Sequence, residues 1–285
     1  MPVTHLVLAL AVVAVWGTNF VVIKWGLAEL PPFELAALRF ALSSLPFLPF
    51  IRRPATSWGR LAAFGVLLGA GQFGLMFLAM KADISPGLAS LVIQAQVFFT
   101  IALAGQRLKP AQVGALALAV AGMGWIGWQA RLGGADISPA GLGMVLAAAL
   151  CWALANMVAR GAGRVDALGF MVWSSLFALP PLAVLSLAFD GGPAVVGAAL
   201  VAASPAAWGV VLWQALGNTL FGYAAWNWLL ARHAPATVTP AALLVPVFGM
   251  ASSAIAFGEP LPAWKLGAAG LVMAGLAVNL WAASR

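Results

Sequence analysis

The chain has 285 residues, of which 64% are hydrophobic and only 7% are charged. An ordinary soluble domain carries about 25% charged residues, so this composition excludes a soluble domain. It also excludes nucleic-acid binding, although the net charge is +7. The composition instead indicates a polytopic membrane protein whose largest partner is the lipid bilayer.

Apolar runs of roughly 20 residues, the length that a membrane helix needs, recur from one end of the chain to the other. The runs are continuously apolar rather than alternating, which favours helices over a barrel. The first run has no basic segment before it, so we predict a membrane helix rather than a cleaved signal. The longest connection is predicted to be a loop near 189–205. Charged clusters and Pro/Gly signals predict ten spans: 4–24, 33–51, 61–80, 84–104, 110–130, 139–159, 167–188, 206–231, 236–257 and 263–283.

Basic residues are divided unevenly between the two sets of loops, which predicts that both termini lie in the cytoplasm. Among the acidic residues, only Asp166 falls on the predicted inner side. Arg39 belongs to neither set, because it lies within the second span. The inner set is Arg52, Arg53, Arg60, Arg107, Lys109, Arg160, Arg164, Arg232 and Arg285, and the outer set is Lys24, Lys81, Arg131 and Lys265.

The sequence contains an internal repeat. The segment that begins at Gly105 aligns with the segment that begins at Gly258 at a constant offset, and Trp16 aligns with Trp152 at a smaller one. Each half then holds five spans, and an odd number makes the second half cross the membrane in the opposite sense. We therefore predict two inverted five-helix repeats, 1–133 and 139–285. Further matched pairs are Gly114 with Gly267, Gly122 with Gly275, and Trp128 with Trp281.

Three segments resemble one known family, the drug/metabolite transporter superfamily and specifically its EamA-type exporters. They are WGTNFVVIK at 16–24, PPFELAALRF at 31–40 and PVFGMASSAIAFGEPL at 246–261. The resemblance implies ten helices and export of amino acids or related metabolites across the bacterial inner membrane. The first half has Ile93 and Gln106 where the second has Pro246 and Glu259, so the substrate is less well defined than the fold.

Arg39 is the strongest candidate for a functional charge inside the membrane, where ionisable groups are costly. It lies about two turns into the second span, roughly 9 Å from the predicted outer end at about 1.5 Å per residue. One interpretation is that Arg39 attracts the carboxylate of a substrate. The other is that it extends outward and pairs with Glu34 or with helix-end carbonyls.

Amides and deep tryptophans in several spans of both halves predict a mildly polar central cavity with aromatic walls, suited to hydrophobic or aromatic amino acids. The alternatives are interhelical hydrogen bonds for the amides and packing or lipid contact for the tryptophans. The predicted substrate-binding residues are Trp16, Asn19, Arg39, Gln72, Gln94, Gln96, Trp152, Asn156, Trp173, Gln214, Asn218, Tyr223, Trp226 and Asn227.

Helix breakers begin the fourth and ninth spans at corresponding places, Pro86-Gly87 and Thr239-Pro240. With Pro246, these positions are predicted hinges for alternating access, and packing irregularity is the alternative. The fifth and tenth spans carry glycines and few polar groups, so we assign them to close packing in a scaffold.

Other function classes are poorly supported by the sequence. An intramembrane enzyme needs a nucleophile with a base or a pair of acids within the spans, and both histidines lie near span ends. We therefore predict no enzyme activity, no cofactor and no metal site. A channel lacks a filter loop, and phosphorylated sugars, nucleosides or drugs are alternative substrates. No acid lies at mid-span, which argues against a buried proton-coupling carboxylate, and we expect a monomer.

Overall fold

The computed structural model describes residues 1–105, 109–133, 137–163, 165–233 and 235–284. Within these ranges the protein is helical, and its extended pairing is a single bridge between Ile84 and Ile137. The first half contains α1 (Val3–Glu29), α2 (Pro32–Ser44), α3 (Trp58–Ala82), α4 (Pro86–Leu103) and α5 (Pro110–Arg131).

The second half repeats this order with one added helix and one added helical turn, Pro235–Val238. It contains α6 (Pro139–Gly161), α7 (Ala167–Phe189), the short α8 (Gly192–Ala202), α9, α10 (Thr239–Phe257) and α11 (Ala263–Ser284), where α9 begins at Pro205 and ends at Arg232.

Three helices begin with the same dipeptide, a serine followed by a proline. The side chains of Ser85, Ser138 and Ser204 each accept a hydrogen bond from the backbone N–H three residues later. The following proline occupies the first helical position, where its missing N–H costs nothing. The local sequence therefore determines where α4, α6 and α9 begin.

Two details of the predicted spans differ from the structure. The expected loop at 189–205 is wrong, because residues 192–202 form α8, which meets α9 at an angle of 101°. The expected span 33–51 is helical only from Pro32 to Ser44, and turns continue to Phe50. Eight helices of the described residues are long and apolar enough to cross a membrane, or nine with α8 and α9 taken together. The count of ten stays a prediction.

The two halves pack against each other in matched pairs. If the added α8 is left out of the count, the first helix of each half packs on the fourth helix of the other: α1 packs on α10, and α6 packs on α4. In addition, α2 packs on α7 and α5 packs on α11. The last pair shows the relation at atomic level: a Cβ at Gly122 would meet Val272 and Ala268, and a Cβ at Gly275 would meet Ala115 and Ala119. These partners correspond at the repeat offset, as expected for a two-fold arrangement.

Close packing of α5 on α11 makes a testable prediction about stability. A Cβ at Gly275 would lie 2.6 Å from the carbonyl oxygen of Ala115, whereas a Cβ at Gly270 would meet nothing within 4 Å. Gly275→Ala should therefore cost about 1–3 kcal/mol through overpacking. Gly270→Ala should be neutral or gain up to about 1 kcal/mol from helix propensity.

Thermal unfolding of the two variants in detergent measures this difference. If Gly275→Ala and Gly270→Ala unfold at the same temperature, α5 and α11 do not form the rigid scaffold described.

The charged loop residues group at two ends of the helix bundle, and we name the ends by their charge. The acidic end, where α1 ends and α4 begins, holds Glu29, Asp83 and Glu259, and Lys24 and Lys81 donate there to backbone carbonyls of α3 and α1. The basic end is the opposite one, where Lys109 donates to the carbonyl of Ala282. The sequence predicts that the acidic end faces outward.

Candidate functional site

Arg39 is fully buried near the centre of α2, with 0% of its surface exposed. Its Nε donates to Thr219 Oγ1 at 3.1 Å and its Nη1 donates to Gln214 Oε1 at 2.9 Å. The guanidinium carbon lies 3.7 Å from the centroid of the Phe73 ring, a close cation–π contact. Arg39 therefore points inward to α9 and α3 rather than outward.

Hydrogen bonds between the amides of Gln214 and Asn19 extend this network to α1. Gln214 Nε2 donates to Asn19 Oδ1 at 2.7 Å, and Asn19 Nδ2 donates back to Gln214 Oε1 at 3.3 Å. We call Asn19, Arg39, Gln214 and Thr219 the Arg39 cluster. All four residues are buried, and they join α1 and α2 of the first half to α9 of the second. Three of the predicted site residues are thus brought together.

The position of the Arg39 cluster depends on a local change in helix type. Residues Trp213–Phe221 of α9 form a π-helical stretch, and Leu67–Gly74 of α3 forms another. A π-helix places residues five apart at neighbouring positions, and Thr219 Oγ1 accordingly donates to the carbonyl of Gln214 at 2.8 Å. Such stretches are concentrated at functional sites, and here the two third helices carry them at corresponding places.

Aromatic rings lie beside the Arg39 cluster along α1 and α9. The Trp16 ring centroid lies 5.7 Å from that of Tyr223 and 5.2 Å from that of Trp226. Trp16 Nε1 also donates to the backbone oxygen of Asn218 at 3.2 Å. A Cβ at Gly222 would collide with the Trp16 indole nitrogen, so glycine provides the space for this ring. Four predicted site residues therefore form one aromatic wall with a polar edge.

One nitrogen of the Arg39 guanidinium lacks a hydrogen-bond partner among the described residues. Arg39 Nη2 and Gln72 Oε1 are buried and make no hydrogen bond to the residues that the structure describes. A buried donor or acceptor left without a partner costs about 1–3 kcal/mol, so each such group calls for an explanation such as strain, an ordered water, an ion or a ligand. Glu34, the alternative partner of Arg39, instead accepts a hydrogen bond from Ser186 at 3.2 Å. The expected Arg39–Glu34 pair is absent from the described contacts.

A second group of predicted residues meets where α4 packs on α6. Asn156 Nδ2 donates to Gln96 Oε1 at 3.0 Å and to Thr100 Oγ1 at 3.4 Å. All three side chains are half-buried. This contact is an interhelical hydrogen bond of the kind that holds membrane helices together, which is the alternative interpretation given for the amides.

The remaining predicted residues lie at separate places. Gln94 is buried at the break between the two parts of α4, and Trp152 is half-buried on α6. Asn227 donates to the carbonyl of Tyr223 one turn earlier in its own helix. Trp173 donates to the carbonyl of Ile51 at the basic end, with its ring centroid 5.9 Å from that of Trp58.

The predicted hinges take different forms in the two halves. Pro86 and Gly87 occupy the first turn of α4, and the helix is interrupted later, at Ile93–Gln94. Pro240 lies in a 3₁₀ turn, Thr239–Leu243, which precedes the α-helical part of α10, and Pro246 lies in the first turn of that part. Both fourth helices are therefore divided into two segments.

Sequence reasoning missed four groups that the structure makes important. Thr219 and Phe73 contact Arg39, but only the π-helical stretch brings Thr219 beside Gln214.

Glu259 and Lys265 were assigned to loops, yet both are buried and form an ion pair of 3.0 Å. Their spacing of six residues across a turn gave no periodic signal. Burial alone would raise the pKa of Glu259, but hydrogen bonds from Ser253, Ser85 and Lys265 hold it below its usual range.

A pocket of about 680 Å³ opens at the acidic end, lined among others by Lys24, Asp83, Ser85 and Glu259. None of the predicted substrate-binding residues lines it. Within the described ranges, no three His, Cys, Asp or Glu side chains are close enough to hold a metal ion.

Comparison with known proteins identifies the family. The profile of the EamA-like transporter family matches residues 4–128 and 139–281. A protein of Salmonella typhimurium named "probable amino-acid metabolite efflux pump" is 39% identical over 282 residues, 96% of this chain and 94% of that protein. A protein of Escherichia coli with the same name is 38% identical over 283 residues, again 96% and 94% of the two chains.

More distant relatives agree with this assignment. The Escherichia coli protein named "uncharacterized inner membrane transporter YedA" is 23% identical over 262 residues, 88% of this chain and 82% of that protein. One solved crystal structure matches with a TM-score of 0.60 at 22% identity, covering 100% of this chain and 99% of the other, which shows the fold. The chain is a multi-pass membrane protein that belongs to the EamA-like transporter family.

Proposed function

We propose that this protein is a carrier of the bacterial inner membrane that exports amino acids, with hydrophobic or aromatic side chains favoured. Transport proceeds by alternating access between the two halves of a single chain, which acts as a monomer. Family membership and the names of the two relatives at 38–39% identity support export of amino-acid metabolites. The substrate preference is argued from the site.

The observation that carries the proposal is the free Nη2 of the buried Arg39. A guanidinium has five N–H donors arranged in a fork that matches a carboxylate. Two of its nitrogens are held by Gln214 and Thr219, so the side chain is fixed in position with one edge available. A substrate carboxylate that meets this edge would satisfy the donor and neutralise a charge that no described acid neutralises.

The aromatic wall supports the rest of the substrate assignment. Trp16, Tyr223 and Trp226 provide flat apolar surfaces, and aromatic rings favour offset or edge contacts with other rings. Amide groups of Asn19 and Gln72 can bind an ammonium through their carbonyl oxygens. A zwitterion with an apolar side chain fits this combination better than a sugar phosphate, whose two charges would require further buried cations.

Export without a membrane-embedded acid completes the proposal. All seven acidic residues of the sequence lie in loops or near helix ends, and a mid-membrane carboxylate is the usual device for proton coupling. We therefore propose transport down the gradient of the substrate or by exchange. Counterflow measured with and without a pH gradient tests this part: a strict requirement for the gradient contradicts it.

Counterflow in proteoliposomes tests the substrate class. Purified protein is reconstituted with unlabelled internal substrate, and uptake of labelled phenylalanine, tryptophan, leucine, a nucleoside and a hexose phosphate is compared. Saturable uptake of the amino acids alone is the expected result. Uptake of only the phosphate or the nucleoside would assign the protein to another substrate class of the superfamily.

A further inference from the structure

Glu259 joins the two halves of the protein at the acidic end. Its carboxylate accepts hydrogen bonds from Ser85 Oγ at 2.6 Å and from the backbone N–H of Gly87 at 3.1 Å, both in the first half. It also accepts from Ser253 Oγ and from Lys265 Nζ in the second half, the latter at 3.0 Å. One carboxylate thus ties the start of α4 to the end of α10 and the start of α11.

The ion pair within this group is almost completely buried, although Glu259 and Ser85 also line the pocket at the acidic end. The side chains of Lys265 and Glu259 are 0% and 4% exposed. A Cβ at Gly87 would lie 2.8 Å from Glu259 Oε1, so glycine at this position allows the carboxylate to reach the backbone. Breaking a buried pair by removing one partner is far more costly than breaking an exposed one, because an uncompensated charge remains.

A second layer of contacts joins α1, α4 and α10. A Cβ at Gly17 of α1 would lie 2.5 Å from Phe248 Cβ, and a Cβ at Gly249 of α10 would lie 2.5 Å from Ser90 Cβ of α4. Backbone approach this close requires glycine. The three helices therefore pack closely at Gly17 and Gly249.

Along both α4 and α10, the number of buried residues differs between the part near the acidic end and the part near the basic end. In α4, every residue of Pro86–Val92 is buried, whereas only Ala95 and Phe98 are buried in Ala95–Leu103. In α10, no residue of Thr239–Leu243 is buried, and five residues of Leu244–Phe257 are. In both helices most of the buried residues lie in the segment nearer the acidic end.

We propose that Ser85, Ser253, Glu259 and Lys265 form a latch that closes the acidic end of the transport pathway and must dissociate before substrate leaves there. The latch residues are positioning residues and do not contact substrate. The inference rests on the proposed function, because a latch matters only in a carrier, and on the predicted outward orientation of the acidic end.

The counterpart of Glu259 in the first half is Gln106 by sequence alignment, and Gln106 lies outside the described residues. A carboxylate is therefore present at only one of the two corresponding positions of the sequence, which makes the latch specific to one end of the carrier.

Cysteine accessibility measures latch opening without any substrate. The one native cysteine, Cys151, is replaced by serine, and Ser90→Cys serves as a reporter that the latch protects, since Ser90 is 0% exposed. Ala82→Cys, exposed at the same end, is the control for access of the reagent. A membrane-impermeant maleimide is applied to the periplasmic face, and labelling rates are compared with the latch intact and with Glu259→Gln.

With the latch intact, the reporter should react slowly and the Ala82→Cys control quickly. Glu259→Gln should raise the reporter's rate at least about tenfold, because it removes the negative charge that lies 3.0 Å from the buried Lys265 Nζ. Ser253→Ala, which removes one hydrogen bond to Glu259 and no helix cap, should raise it about threefold. The double variant Glu259→Gln/Lys265→Met should fall between the intact latch and Glu259→Gln.

Equal reporter rates in all these variants would overturn the latch, as would fast labelling while the latch is intact. Labelling from the cytoplasmic face alone would overturn the outward assignment of the acidic end. The result is separable from the proposed function: a latch that responds as expected in a protein without amino-acid counterflow would refute the substrate assignment and leave the latch in place.

Discussion

Replacing Arg39 with methionine is expected to reduce amino-acid counterflow at least about tenfold, since a hydrogen bond to a charged group contributes about 1.5–3 kcal/mol. The unfolding temperature should stay unchanged or rise. Arg39 is fully buried and has no carboxylate partner among the described residues, and replacing a buried charge by an apolar group of similar volume is often neutral or stabilising. Arg39→Lys should also lose activity, because an ammonium cannot bind Gln214, Thr219 and a carboxylate with the same planar fork.

The two readouts separate the interpretations of Arg39 that the sequence left open. Loss of transport with intact stability assigns Arg39 to the substrate, whereas a parallel loss of stability and transport would make it a structural clasp. Arg53→Met is the matched control: Arg53 is exposed and lies 4.4 Å from the Trp58 ring at the basic end. It should leave both counterflow and unfolding temperature close to those of the native protein.

Most of the fold could be predicted from the sequence because membrane helices are determined by long apolar runs and their end signals. Ser-Pro pairs such as Ser138-Pro139 mark helix starts directly. The helix α8 was missed because two glycines, Gly191 and the first helical residue Gly192, stand at its start, and paired glycines are typical of loops. The early end of α2 at Ser44 was missed because apolar residues continue to Ile51 without a charge.

The site could be predicted only in part, for two physical reasons. Period-based reasoning groups residues three or four apart, so it found Gln214 with Asn218 but not Thr219, which only a π-helical stretch brings beside Gln214. Burial of a loop residue depends on tertiary packing, so Glu259 was assigned to the solvated outer side. Trp173 was predicted to lie deep because its span is continuously apolar, but its indole binds the carbonyl of Ile51.

A second large effect is expected when Gly249 is replaced by alanine. The new Cβ would lie 2.5 Å from Ser90 Cβ, which forces α4 and α10 apart at the acidic end. Overpacking of this kind costs about 1–3 kcal/mol, or about 5–150-fold in an equilibrium. Hydrogen exchange of backbone amides in Pro86–Val92, followed by mass spectrometry, should accelerate by a factor in this range.

A compensating substitution makes this prediction specific. Ser90→Gly removes the side chain that Gly249→Ala would meet, so the double variant should return exchange in Pro86–Val92 toward the rate of the single variant Ser90→Gly. That single variant is the necessary control, because glycine itself weakens a helix by about 1 kcal/mol. Additive effects of the two substitutions would show that α4 and α10 do not touch at this point, since only residues in contact couple strongly.

Both effects follow from one arrangement of the two halves. The Arg39 cluster joins α2 to α9 in the middle of the bundle, and the latch joins α4 to α10 and α11 at the acidic end. In the proposed mechanism, substrate binds the free nitrogen of Arg39 and leaves at the acidic end once the latch dissociates. Binding and release are thereby assigned to different residues that can be changed separately.

The most direct test of the central claim compares two molecules that differ only in the carboxylate that Arg39 is proposed to bind. Counterflow of phenylalanine is measured in competition with phenylalanine or with phenethylamine, which keeps the ring and the amine. Phenylalanine should compete at least about tenfold better in the native protein, and Arg39→Met should abolish that preference. Equal competition by the two molecules in the native protein would contradict carboxylate recognition by Arg39.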